Sequence, residues 1–261
     1  MKIARIQHQG GIDYAVVEKD GYHLIDGDIF REWQQKETVI SEDKAKLLVP
    51  VVPPQIICIG ANYRKHCEES NVPIPDRPLV FFKTFNALAN PYDPVILPKI
   101  CPNEVDYEAE LAVVIGKQAK HVSQEEAEKY VLGYTCANDI SARDVQMRQD
   151  KLWARAKSFD TFCPLGPWIV TGLDGGNLGI SLTLNGQVMQ NSNTSNMVFS
   201  IPYLIHYLSQ CMTLYAGSII LTGTPSGVGF GKNPQVYLQE GNTMTVFIEG
   251  IGELTNTVCL E

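Results

Sequence analysis

A chain of 261 residues, 44% hydrophobic and 9% aromatic, is long enough to bury a full core, which sets aside disorder and fibrous structure. Its net charge of -8 supplies no basic surface for neutralising phosphates, so a nucleic-acid partner is excluded, and an anionic substrate would need a local positive centre.

The first segment, Met1 to Gly10, has no apolar run of signal-peptide length. No window reaches the roughly 20 apolar residues of a membrane span, so a cytoplasmic location and no membrane partner are expected. Residues 1–50 hold two alternating segments, Lys2 to Gln7 and Tyr14 to Glu18. A polar, helix-compatible stretch follows from Asp28 to Leu48, which predicts a small N-terminal α/β domain. Pro50, Pro53 and Pro54 punctuate the chain, and residues 51–261 form the second predicted domain.

In that domain short apolar, β-rich segments alternate with Gly, Pro and Asn turns: Ile56 to Ile59, Leu79 to Lys83, Glu108 to Ile115, Gly133 to Ala137, Trp168 to Val170, Ser181 to Leu184, Ser218 to Leu221 and Met244 to Glu249. Helices are predicted at Arg64 to Ser70, Gln124 to Tyr130, Ser141 to Arg148 and Ile201 to Cys211. Strands outnumber crossover helices, so the expected class is β-rich α+β rather than a doubly wound parallel sheet. The seven cysteines contain no Cys-x-x-Cys pair and lie mostly in apolar runs. They read as small buried hydrophobes in a reducing compartment, not as a disulfide or zinc framework.

Four local features carry chemistry. Glu108 and Glu110 stand two apart at the start of an apolar strand, so both point to one face, about 6.6 Å apart along the backbone. Two carboxylates aimed at a half-buried site repel unless a cation lies between them; the alternative is a solvated strand face. Asp139 falls just past a strand end, where it could complete an oxygen-donor set for a hard ion, Mg²⁺ or Mn²⁺, or cap a helix. His66 and Glu69 share a helical face and could form a general base, or decorate a surface. Lys157 precedes the apolar run Phe162 to Pro167 and could clamp a carboxylate or snorkel to water. The glycine-rich segment Thr222 to Lys232 fails as a phosphate loop, because Asn233 stands where Ser or Thr belongs. It reads instead as a tight loop whose NH groups and Thr224 hydroxyl could hold a carboxylate.

Together the segments Gly60-x-Asn62-Tyr63-x-x-His66, Asp106-Tyr107-Glu108-x-Glu110, Asn138-Asp139-x-Ser141-Ala142-Arg143-Asp144, Lys157-Ser158, Asn185-Gly186-x-x-x-Gln190 and Thr222-Gly223-Thr224-Pro225-x-Gly227-Val228-Gly229 resemble the fumarylacetoacetate hydrolase family over roughly residues 55 to 260. The resemblance implies a mixed β-roll, a homodimer, and Mg²⁺ or Mn²⁺ held by Glu108, Glu110 and Asp139. It also implies a mobile lid carrying the His66 and Glu69 dyad, with Lys157 at the reaction centre. Substrate contacts are expected from Asn62, Tyr63, Arg143, Gly223 and Thr224. Ala61 departs from the arginine of some acylpyruvate-cleaving members, and Ala216-Gly217-Ser218 from a frequent Pro-Gly-Asp turn.

The implied activity acts on a small-molecule 2-oxo or 2,4-dioxo acid chelated to the metal through its C1 carboxylate and C2 oxygen. Three outcomes share an enolate: acylpyruvate-type hydrolysis or oxaloacetate-type decarboxylation, both C–C cleavages, and enol–keto or dienoate isomerisation. A non-catalytic carboxylate-binding protein is the competing class.

Overall fold

The computed structural model describes residues 1–261 and is β-rich, with one long α-helix. A 12-stranded sheet forms the centre. Its main path runs Trp33–Ile40, Gly21–Gly27, Gly11–Glu18, Lys2–His8, Cys163–Val170, Val131–Asn138, Ala109–Ile115, Ile219–Leu221, Ile56–Gly60 and Leu79–Phe82. A five-stranded sheet lies against it, ordered Gln187–Asn193, Gly179–Leu184, Thr243–Ile248, Gly252–Leu260 and Val95–Leu97. Both sheets are mixed, since Ile219–Leu221 runs parallel to Ile56–Gly60 and Gly252–Leu260 parallel to Val95–Leu97. The mixed β-roll expected from the resemblance is the fold observed.

The central strands are apolar on both faces because both are covered. Ala109–Ile115 is buried at every residue, and its flanks Val131–Asn138 and Ile219–Leu221 are almost as deep. At the rim the burial alternates, as in Gly179–Leu184, where Ile180, Leu182 and Leu184 face the core. The helix Ile201–Cys211 buries Ile201, Leu204, Ile205 and Leu208, one stripe at helical spacing.

Three expectations are corrected. The N-terminal segment is not α/β: residues 2–40 make a four-stranded antiparallel meander, and only Glu42–Lys44 forms a single 3₁₀ turn. Within the helix-compatible stretch Asp28 to Leu48, Trp33–Ile40 is an edge strand exposed along most of its length. Polar residues there reflect two wet faces, and pairing with Gly21–Gly27 overrides helix propensity. The meander also continues the central sheet, through Lys2↔Val170 and Ile3↔Ile169. Second, the helix expected from Ser141 to Arg148 starts two residues late: Ser141–Ala142 pairs with Val105–Asp106, and the chain coils from Arg143 to Gln149, as a π-helical turn over Val145–Gln149. Third, Gln124 to Tyr130 shortens to the 3₁₀ turn Ala127–Tyr130.

Candidate active site

The acidic site forms where two central strands begin and end together. Ala109 pairs with Asn138, so Glu108 and Asp139 are neighbours across the ladder, joined by the Asp139 N–H donating to the Glu108 carbonyl at 2.8 Å. Glu110 lies two residues on, on the same face, and oxygens of all three carboxylates lie within 4.8 Å of one another. All three side chains are buried, which removes the solvated-face alternative.

The counter-charges come from far along the chain. Lys157 Nζ donates to Glu108 Oε2 at 2.7 Å and to Asp139 Oδ2 at 2.8 Å. Lys83 Nζ donates to Asp139 Oδ1 at 2.5 Å and to the Ile140 carbonyl at 3.1 Å. Arg143 donates from Nη2 to Glu108 at 2.7 Å, from Nε to Asp106 at 2.9 Å and from Nη1 to Gln146 at 2.8 Å. Burial works to raise the Glu108 carboxyl, but Lys157 and Arg143 overcome it and hold the group at about 2. Glu110 moves the other way: burial first, then Asp139 and Glu108, push it well above the usual carboxylate range. Counting Asp106, four buried carboxyl groups meet three buried cations, Lys83, Arg143 and Lys157, which leaves Glu110 without a cationic partner. Three converging oxygen donors, one of them without a cationic partner, fit a hard divalent ion such as Mg²⁺ or Mn²⁺.

Opposite the acids, the helix Arg64–Glu69 sets His66 over a cavity of about 310 Å³. Its Nδ1 lies 2.9 Å from Glu69 Oε1; a proton shared there leaves Nε2 as the acceptor facing the cavity. Arg143, Lys157 and Thr224 also line this space, and Phe81, Trp153, Phe230, Val72 and Met147 form its apolar walls.

The glycine-rich loop binds carboxylates, as its NH groups suggested, but they belong to the protein. Gly223 N–H donates to Glu110 at 2.7 Å, Gly227 N–H to Glu69 at 2.8 Å, and the Gly229 and Phe230 N–H groups to Asp106 at 2.8 and 3.0 Å. Gly227 has φ +106°, and a Cβ there would lie 2.1 Å from the Met189 carbonyl oxygen, so only glycine permits this approach.

The expected substrate contacts are thereby revised. The Gly223 N–H positions the Glu110 carboxyl instead. The Thr224 hydroxyl donates to the Ala109 carbonyl at 3.0 Å and accepts from Gln190 at 2.7 Å, leaving the residue as cavity wall. Asn62 lies outside the cavity, its amide bracing Thr222 and Phe199 through bonds of 2.7 to 3.1 Å. Tyr63 is also buried outside the cavity. Arg143 lines the cavity but spends its donors on Asp106, Glu108 and Gln146.

Sequence reasoning missed Lys83, Gln146 and Trp153. Lys83 carried a signal, a lysine ending the otherwise apolar run Leu79 to Phe82; the other two carried none.

Comparison with known proteins agrees with this geometry. The family model described as fumarylacetoacetate (FAA) hydrolase C-terminal matches residues 55–259, and a model described as Rv2993c-like, N-terminal matches residues 1–50. The mitochondrial oxaloacetate tautomerase Fahd2a of Rattus norvegicus is 47% identical over 84% of this chain and 71% of its own length. The human mitochondrial oxaloacetate tautomerase FAHD2A is 46% identical over the same shares. Among solved structures, the 5-carboxymethyl-2-hydroxymuconate delta-isomerase of Mycobacterium smegmatis covers all of both chains at 38% identity and a TM-score of 0.91. The 2-hydroxyhepta-2,4-diene-1,7-dioate isomerase of Mycobacterium marinum covers this chain and 99% of its own at 36% identity and 0.89. With that match running through every segment that builds the acidic site, the chain belongs to the fumarylacetoacetate hydrolase family.

Proposed function

We propose that this protein is a divalent-metal-dependent tautomerase of 2-oxo acids, moving a proton between C3 and the C2 oxygen. One observation carries the reading: a carboxylate-oriented imidazole faces, across one cavity, a buried triad of converging oxygen donors. When held by Glu108, Glu110 and Asp139, Mg²⁺ or Mn²⁺ supplies Lewis-acid polarisation of the 2-oxo group. His66 takes the C3 proton at Nε2 and returns it to oxygen, while Glu69 fixes the ring. Lys157, held above the ordinary lysine range by Asp139 and Glu108 despite its burial, stays cationic and offsets charge on the oxygen. The names of the mammalian relatives favour this outcome over C–C cleavage.

Acylpyruvate hydrolysis is the second reading, favoured by the same His66 and Glu69 pair, which suits water activation. Ultraviolet absorbance of enolic oxaloacetate with Mg²⁺ or Mn²⁺, alongside assays for pyruvate and for acetate from acetylpyruvate, separates them. Faster enol decay without pyruvate supports tautomerisation; acetate release would assign hydrolysis, and no effect on any substrate would remove both.

The reading extends to a homodimer and to a reducing compartment, either the cytoplasm or the mitochondrion that the relatives' names give. No helix is long and apolar enough to cross a membrane.

A further inference from the structure

The cavity is larger and more apolar than a compact diacid requires. Beyond the carboxylate floor its walls are Trp153, Phe81, Phe230, Val72 and Met147. The indole of Trp153 meets Phe81 edge-on, centroids 5.3 Å apart at 78°. Behind it lies Gly60: a methyl group there would stand 2.6 Å from the indole Cζ3 and 2.9 Å from Cη2, so the missing side chain is the seat of the ring. Trp153 also heads the short turn that ends in Lys157, whose N–H donates to the Trp153 carbonyl at 3.1 Å. One turn therefore places both the aromatic wall and the ammonium on the acids.

The charges around this wall are already committed. Arg143 is paired with Asp106 and Glu108, Lys157 with Glu108 and Asp139, and His66 with Glu69. The faces of Phe81 and Phe230 are turned to Lys157 and Arg143, at 5.3 and 5.8 Å, and both cations are already held by carboxylates, so a second carboxylate reaching past the 2-oxo group would find no unpaired cation to receive it. A flat, uncharged group would stack there.

We propose that Trp153 is the specificity-determining residue of this site, selecting 2-oxo acids whose distal end is an apolar unsaturated or aromatic substituent rather than a second carboxylate. The assignment rests on the 2-oxo acid reading above.

The test uses the full-length protein with Mg²⁺ and two probes, oxaloacetate and 4-phenyl-2,4-dioxobutanoate. Trp33 and Trp168 lie outside the cavity, so a ligand-dependent change in tryptophan emission reports on Trp153. The phenyl acid should quench the parent at lower concentration than oxaloacetate, and Trp153→Phe should lose the quench. In kinetics, the ratio of kcat/KM for the phenyl acid to that for oxaloacetate should fall roughly tenfold or more in Trp153→Ala. Trp153→Phe should retain most of the ratio, and Gly60→Ala, which unseats the indole, should lower it with Trp153 still present. Turnover of both acids with a ratio unchanged in Trp153→Ala and Gly60→Ala overturns the assignment and leaves the 2-oxo acid reading standing. A parent that neither binds nor converts either acid overturns both.

Discussion

The buried charges divide into a structural set and one residue left over. Arg143, Lys83 and Lys157 hold Asp106, Glu108 and Asp139 in place, and Glu110 is opposed only by the Gly223 N–H and the field of Lys157. Removing one partner of a buried ion pair leaves a charge in low dielectric. Lys83→Met, which strips the ammonium from Asp139, should therefore cost about 3–5 kcal/mol of metal-free stability by chemical denaturation. Added Mg²⁺ should stabilise that variant more than the parent, because the ion relieves the charge that Lys83 offset. Equal denaturation midpoints for variant and parent would show that Asp139 does not depend on Lys83. Glu108→Gln should weaken Mn²⁺ binding in calorimetry, and parental affinity in that variant would remove Glu108 from the ligand set. The acids were legible in the sequence because strand periodicity alone puts Glu108 and Glu110 on one face. Lys83 and Arg143 were not read as their counter-charges, because only the folded chain brings Lys83, just past Leu79–Phe82, onto Asp139, and Arg143 onto Asp106 and Glu108.

Elements meet at this site through straps rather than through shared core. The glycine-rich loop is tied at Gly223, Gly227, Gly229 and Phe230 to carboxylates from three other elements, and the Gly227 strap runs to Glu69 on the helix Arg64–Glu69. That helix buries only Cys67, so little packing holds it down. A hydrogen bond from an N–H to a charged acceptor contributes about 1.5–3 kcal/mol, roughly a ten- to hundredfold protection. Glu69→Ala should accordingly speed amide hydrogen exchange at Gly227 and through residues 64–70 by about that factor, while exchange in Ala109–Ile115 stays at the parental rate. Unchanged exchange at both places would mean that the helix is held by something other than the strap. The loop's taste for carboxylates was readable from its glycines, but their owner was not, since Asp106 and Glu69 lie more than a hundred positions away. The helix expected from Ser141 starts only at Arg143 for a related reason. Asp106 and Val105 draw Ser141–Ala142 into a two-stranded ladder, which local propensity does not record.

Over the whole molecule, the central strands buried on both faces were read, since a continuous apolar run is unmistakable, and so were alternating ones such as Gly179–Leu184. The strands passed over were at the rims, such as Trp33–Ile40 and Gly252–Leu260, whose polar residues face water and whose burial alternates or vanishes. The cysteines follow the same division. Cys58, Cys136 and Cys163 lie in the central strands without exposure, whereas Cys211 is exposed and Cys259 partly so. Burial pushes the Cys163 thiol from 9.0 up to about 12 and the Cys101 thiol to about 11, and it raises Cys58 and Cys136 as well. Two consequences follow for the folded chain. Near neutral pH an alkylating reagent should modify Cys211 first and Cys259 more slowly, leaving Cys58, Cys136 and Cys163 untouched until the sheet opens, because the reagent needs both access and a thiolate. Stability should then decline with alkali. Each raised thiol binds its proton more tightly folded than unfolded, so its contribution is complete below the unfolded value of 9.0 and is lost as pH climbs toward the folded value, about 12 for Cys163. Urea midpoints should hold level from neutral pH to just under 9.0 and fall beyond it, with the three buried thiols becoming reactive in the same transition. Mass-mapped alkylation of Cys163 at the rate of Cys211 in the folded protein, well below that fall, would show that the central strands open independently of the rest of the sheet.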